Sequence, residues 1–153
     1  MYNSNIAMQS KRKEPQFPLQ YFTLDGWTVE LLYQDETGFN NRLVVVVVLD
    51  ACGKYPVGYA IGNNENTELI RQANRSAAVH IQELFGASFR PRQLQSDRYG
   101  LKALTPFYKA MAELYIPAAV GNAKAKVIEP YFKYLNKKYC QAFPNWSGFN
   151  GYG

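Results

Sequence analysis

The chain has 153 residues, of which 47% are hydrophobic and 19% charged. That balance excludes a disordered chain and fits one ordinary domain with a buried core. Lys and Arg number 17 against 12 Asp and Glu, a net charge of +5, which suits a polyanionic partner and a merely soluble surface equally well.

The first 17 residues are polar, carry Lys11-Arg12-Lys13, and fit a flexible basic arm or linker. From Tyr21 to Tyr33, β-branched and aromatic residues dominate and predict a strand. The polar stretch Gln34 to Asn41 predicts a hairpin turn. Arg42 to Leu49 is an unbroken β-branched run without a polar face, so this strand is expected to be buried on both sides. Asp50-Ala51-Cys52-Gly53 supplies a turn, and Tyr55 to Gly62 a third strand with Pro56 near its start. The periodicity then turns helical. Asn66 is the expected N-cap of a helix in which Leu69, Ala73, Ala77, Ile81 and Leu84 recur until Gly86. Arg92 to Asp97 predicts a short strand. Thr105 to Tyr115 predicts a second helix with Pro106 in its first position. Ile116 to Val120 predicts another short strand, and Asn122 to Gln141 a last helix. Pro130 lacks a backbone N–H and suits only a first turn, so the regular part of that helix should start close to Glu129.

The order β-β-β-α-β-α-β-α predicts an α/β fold, a mixed five-stranded sheet with helices on both faces. The core is expected at 18–142, with the turn-rich residues 143–153 opening a linker toward a missing C-terminal domain. The longest apolar run, Leu43 to Leu49, is too short to cross a bilayer, so no membrane partner is expected. Cys52 and Cys140 stand alone, without a CxxC or Cys/His cluster. They point away from a zinc site and toward reduced, cytosolic thiols. His80, the single histidine, fits a helix surface.

Three acids stand out. Asp25 interrupts an otherwise apolar strand, where Asp is disfavoured. Such a carboxylate faces solvent, meets a distant Arg, or is kept charged by a cation. Asp97 ends the strand that follows the first helix. That strand is expected to lie parallel to the first and beside it, which brings the two aspartates near one point. Glu129 opens the last helix, where helical spacing aligns it with Lys126, Lys133 and Lys137. This row fits either a solvated, salt-bridged face or a phosphate contact. Together, three carboxylates can hold two divalent cations for phosphoryl transfer, without a histidine, cysteine or glycine-rich loop.

The motifs that carry a family likeness are Phe22-Thr23-Leu24-Asp25-Gly26-Trp27, Arg42 to Asp50, Val57 to Gly62, Glu65-Asn66-Thr67-Glu68, Leu94-Gln95-Ser96-Asp97 and Asn122 to Glu129. In this order and spacing, Tyr21 to about Tyr139 resembles the integrase catalytic core of DDE transposases and retroviral-type integrases, with the transposases of Mu-like elements and insertion sequences nearest in character. The resemblance implies a ribonuclease H-like fold. It implies Asp25, Asp97 and Glu129 as a catalytic triad binding two Mg²⁺ or Mn²⁺ ions, and Lys133 as a contact to the transposon end, with Lys126 and Lys137 as further DNA contacts. The implied reaction is nicking of a donor DNA end by water, then strand transfer by the freed 3′-hydroxyl. The implied partners are transposon-end and target DNA and other copies of the chain in a transpososome, in a cytoplasmic, nucleoid-associated setting.

Glu113 and Asp50 are the rival third carboxylates, Asp50 having the simpler role of a turn residue. The competing functions are a ribonuclease H-like nuclease and a degenerate core that only binds DNA or a partner.

Overall fold

The computed structural model describes residues 15–38, 40–117 and 127–148. The run Lys11-Arg12-Lys13 lies outside them. The elements are β1 (Tyr21–Gln34), β2 (Asn40–Asp50), β3 (Tyr55–Gly62), α1 (Thr67–Phe85), β4 (Gln93–Ser96), α2 (Leu101–Met111), β5 (Leu114–Pro117) and α3 (Ile128–Lys138). They form an α/β unit around a mixed five-stranded sheet in the order β3-β2-β1-β4-β5. The antiparallel meander β1-β2-β3 continues into β4 and β5, which run parallel to β1.

The apolar run in β2 is buried on both faces, as its composition predicts. Val44, Val46 and Val48 join a broad core with Phe22, Leu24 and the inner sides of α1 and α2. Val47 and Leu49, which alternate with them, pack on the opposite face against Ile128 and Phe132 of α3. The helices thus lie on both faces. Gly58 permits the close approach of β3 to α1: a Cβ there would stand 2.4 Å from the Ala77 amide nitrogen and 2.6 Å from the Ala73 carbonyl oxygen.

Local signals set most element ends. Asn66 caps α1 by accepting from the Leu69 amide at 2.8 Å, and Gly86 closes it in the left-handed conformation. Asp50 is a turn residue. Its carboxylate accepts from the amides of Cys52 at 2.9 Å and Leu19 at 3.1 Å.

Three boundaries differ from expectation. α2 begins at Leu101 rather than Thr105 and ends at Met111, so Pro106 lies inside the helix and not at its start. The left-handed Gly100 starts the helix one turn earlier, and burial of Leu104 and Tyr108 holds it there despite the missing N–H. β5 consequently begins at Leu114, two residues before the expected strand, whose residues 118–120 lie outside the described ones. The regular part of α3 starts at Ile128, with Pro130 in its first turn as expected, but ends at Lys138 rather than Gln141, and residues 122–126 of the expected helix lie outside the described ones. A short 3-10 turn, Cys140–Ala142, follows.

The folded unit also continues past Ala142. The Leu32 amide donates to the Asn145 carbonyl at 3.0 Å and the Ser147 amide to the Glu30 carbonyl at 2.8 Å, forming a bridge between Leu31 and Trp146. Residues 145–147, expected at the opening of a linker, are thereby pinned to β1. Among the described residues, no helix is long and apolar enough to cross a membrane.

Candidate functional site

The site is built at a fork in the sheet. β1 pairs with β4 only from Tyr21↔Gln93 to Leu24↔Ser96. One step further along these parallel strands, Asp25 on β1 stands level with Asp97 at the carboxyl end of β4. Farther on, the same edge of β1 meets the segment around Trp146. Between Leu24 and Leu31 that edge has no strand beside it among the described residues, so the two aspartates occupy the mouth of the opening.

Side-chain alternation puts Asp25 on the face of Thr23 and Trp27, the face covered by α3. Trp27 stacks on Phe132 with ring centroids 5.5 Å apart. This contact ties a residue two positions after Asp25 to one three positions after Glu129. Ile128, the neighbour of Glu129, is fully buried in the same cluster as Val47, the cross-strand partner of Asp25. Strand register thus sets Asp25 level with Asp97, and helix packing lays the first turn of α3, with Glu129, over the face that carries Asp25; the charge of Asp97 is felt by Tyr108 and Tyr115 on the α1/α2 side. Among the described residues, however, no three His, Cys, Asp or Glu side chains form a group that could hold a metal ion. Asp25 Oδ1 accepts from the Gly26 amide at 2.9 Å and Asp97 Oδ1 from the Tyr99 amide at 3.2 Å, so each aspartate is engaged by its own backbone. By donor chemistry these hard carboxylate oxygens suit Mg²⁺ or Mn²⁺, and no thiolate or imidazole is among them.

The rival acids are placed elsewhere. Glu113 precedes β5, whose Leu114 pairs with Gln93, so it stands at the opposite end of β4 from Asp97. Asp50 is 4% exposed and spends its oxygens on the two turn amides. Lys133 and Lys137 are exposed on α3 in helical register with Glu129. Lys126 lies outside the described residues.

Sequence reasoning did not single out Glu65 as a site residue. Its carboxylate lies against Gly26: a Cβ on that glycine would stand 2.7 Å from the Glu65 Cδ and Oε2 atoms. The Glu65 carbonyl also accepts from the Tyr99 hydroxyl at 3.2 Å, and Gly100 packs close to Thr67. A fourth acid thus borders the loop that carries Asp97, from the side opposite α3. The only available signal was a glycine beside Asp25, which does not name its neighbour.

Glu30 is a second unanticipated residue. Its Oε2 accepts from Asn136 Nδ2 at 2.7 Å and from Trp146 Nε1 at 3.2 Å, joining β1, α3 and the C-terminal segment. Burial and the nearby Glu30 charge push the Cys140 thiol above its ordinary range, consistent with an inert, structural cysteine. A cavity of about 230 Å³, lined by Asn74, Ile81, Phe89, Pro91 and Met111 among others, belongs to the α1/α2 face, away from Asp25. No family model and no curated protein matches the chain.

Proposed function

We propose that the chain is the catalytic core of a DNA transposase or integrase with a ribonuclease H-like fold, acting on DNA phosphodiesters with two Mg²⁺ or Mn²⁺ ions. The observation that carries this reading is the parallel β1–β4 register, which sets Asp25 level with Asp97, together with the packing of α3, whose first turn holds Glu129, on the face of Asp25. An aspartate on a strand, another just past a strand's carboxyl end and a glutamate in a helix's first turn match the donor chemistry of hard divalent cations. When bound, such ions activate an attacking oxygen and stabilise a leaving one.

In this reading Asp25 on β1 and Asp97 just past the end of β4 would hold the cations, and Glu129 would complete the set from the first turn of α3. Lys133 and Lys137, one and two turns further along, neutralise phosphates of the bound strand. In the first step water attacks a donor phosphodiester and its P–O bond to the 3′ oxygen breaks, freeing a 3′-hydroxyl; in the second that hydroxyl attacks a target phosphodiester, whose own P–O bond breaks and releases a target 3′-hydroxyl. Asp25, Asp97 and Glu129 would serve only as ligands, with no covalent bond from protein to DNA. Transposon ends, target DNA and further copies of the chain are the proposed partners, in the cytoplasm at the nucleoid.

Calorimetric titration with Mg²⁺ and Mn²⁺ tests this directly, paired with a metal-dependent nicking assay on supercoiled DNA. Wild type is expected to bind metal and nick, and Asp25→Asn and Glu129→Gln each to lose both. Loss with Asp25→Asn but not with Glu129→Gln would remove Glu129 from the ligand set. DNA binding that persists without metal uptake or nicking would replace the enzyme with a core that only binds.

A further inference from the structure

The exposed side of α3 and its continuation is both basic and aromatic. Between Pro130 and Gly148 the sequence has Lys133, Lys137 and Lys138 and no Asp or Glu. Tyr134 and Tyr139 are 49% and 51% exposed, although tyrosine rings ordinarily gain from burial. They meet edge to face, with centroids 6.2 Å apart and planes at 84°. The Lys138 ammonium stands 5.3 Å from the centroid of Tyr134 and 5.9 Å from that of Tyr139. Two rings at a right angle with a cation between them make an open corner. Its chemistry suits a flat, electron-rich ring attached to an anion.

The corner sits beside the lysine row. Glu129, Lys133 and Lys137 follow one another at four-residue spacing. At about 1.5 Å per helical residue, Tyr134 lies only about 7.5 Å along the axis from Glu129. Lys137 and Lys138 are the lysines nearest in angle to Tyr134 on the helix, so a DNA strand whose phosphates they hold carries its bases past these rings. A base inside a duplex is already stacked on both sides and offers no face to them. An unpaired base does offer one, and aromatic side chains bind such faces with little regard to sequence. Charge complementarity along the stretch after Pro130, which has three lysines and no acid, favours this occupant over a second copy of the equally basic chain.

We infer that Tyr134 and Tyr139, with Lys138 between them, form a stacking site for an unpaired base of the DNA strand held along α3. This rests on the transposase reading and adds a preference: the protein selects ends that are frayed or opened near the reacting phosphodiester. Exposed rings account for this selectivity, since opening the end uncovers the surface they recognise.

The test compares binding of the full chain to a blunt fluorescein-labelled duplex and to the same duplex with a short unpaired 3′ end carrying 2-aminopurine. Wild type is expected to prefer the unpaired end by roughly tenfold and to quench the 2-aminopurine, as stacking of one base on an aromatic ring predicts. The double substitution Tyr134→Leu with Tyr139→Leu should bring the ratio to about one and abolish quenching, while Tyr134→Phe should keep both. Both rings are half-exposed, and circular dichroism checks that the variants fold. Equal wild-type affinity for the two duplexes, or a preference that survives the double substitution, would overturn the stacking site and leave the transposase reading standing. Binding of neither duplex would overturn both.

Discussion

The α1/α2 face of the sheet is closed by side-chain volume, whereas the α3 face is closed by a few rings and a polar pin. On the first face Phe22, Leu24, Ile70, Leu94, Leu104 and Tyr108 interlock with the small residues Gly58, Ala73 and Ala77. On the second, Val47, Leu49, Ile128 and Phe132 carry the buried apolar contact, helped by the Trp27–Phe132 stack. The Glu30–Asn136–Trp146 hydrogen bonds then fix α3 and the C-terminal segment to β1. The proposed site is on the thinner face. A carboxylate that must gain and lose metal and DNA needs solvent access, and a dense core would deny it. The lesson is that stability and activity should separate by face when residues are changed.

The sharpest separation is expected at Asp25. In Asp25→Asn the amide oxygen can still accept from the Gly26 N–H, so the fold should keep its melting temperature. Metal-dependent nicking should fall by roughly a thousandfold, about 4 kcal/mol of transition-state stabilisation. Gly58→Ala should do the reverse. Its new methyl group meets Ala77 and Ala73 backbone atoms that cannot rotate away, and overpacking of this kind costs roughly 3 kcal/mol. Denaturant unfolding should register that loss in full, while the specific activity of the molecules that remain folded stays near wild type. If Asp25→Asn unfolded the protein, or Gly58→Ala lowered activity per folded molecule, the division by face would fail.

The same division explains what could be read from the sequence. The apolar run in β2, the Asn66 cap and the Gly86 stop are local signals, and they place β2 and α1 within a residue or two of their observed ends. The parallel placement of β4 beside β1 followed from element order, and with it the level placement of Asp25 and Asp97 along the two strands. Pro106 misled because proline is common at the first helical position, whereas here burial of Leu104 and Tyr108 holds a proline inside α2. The pin on the thin face was not legible at all. Glu30 lies 106 positions from Asn136 and 116 from Trp146, and no spacing rule joins residues so far apart. Glu65 was missed for the same reason, because its place depends on a tertiary contact with Gly26.

Trp146→Phe probes that pin. It keeps the ring but removes the N–H that reaches Glu30 and Asn136, at 3.2 Å each. The expected loss is about 1 kcal/mol of stability. Because α3 carries Glu129, nicking should fall further than the small drop in folded fraction explains. A loss of activity no larger than the loss of stability would mean that the pin holds the fold without positioning the helix.

The smallest effect belongs to the thick face and has the opposite sign. Tyr108 is fully buried, stacked on Tyr115 with centroids 4.7 Å apart, and its hydroxyl finds no hydrogen-bond partner among the described residues. A buried hydroxyl left unpaired costs stability, so Tyr108→Phe should stabilise the protein by up to about 1 kcal/mol. The substitution should also alter the response to alkali. Burial, partly offset by the nearby Ser96 hydroxyl and reinforced by Tyr115, Asp97 and Glu65, pushes the Tyr108 phenol well above the ordinary tyrosine range. The folded state therefore holds that proton more tightly than the unfolded chain. The resulting stability is complete below the unfolded value of about 10 and drains away as pH rises above it. Tyr115, also raised by burial, contributes a remainder of the same sign. Unfolding free energies measured on either side of this threshold should fall less steeply in Tyr108→Phe than in wild type. Equal slopes would show that Tyr108 is not the group whose buried neutrality sets the alkaline limit of the thick face.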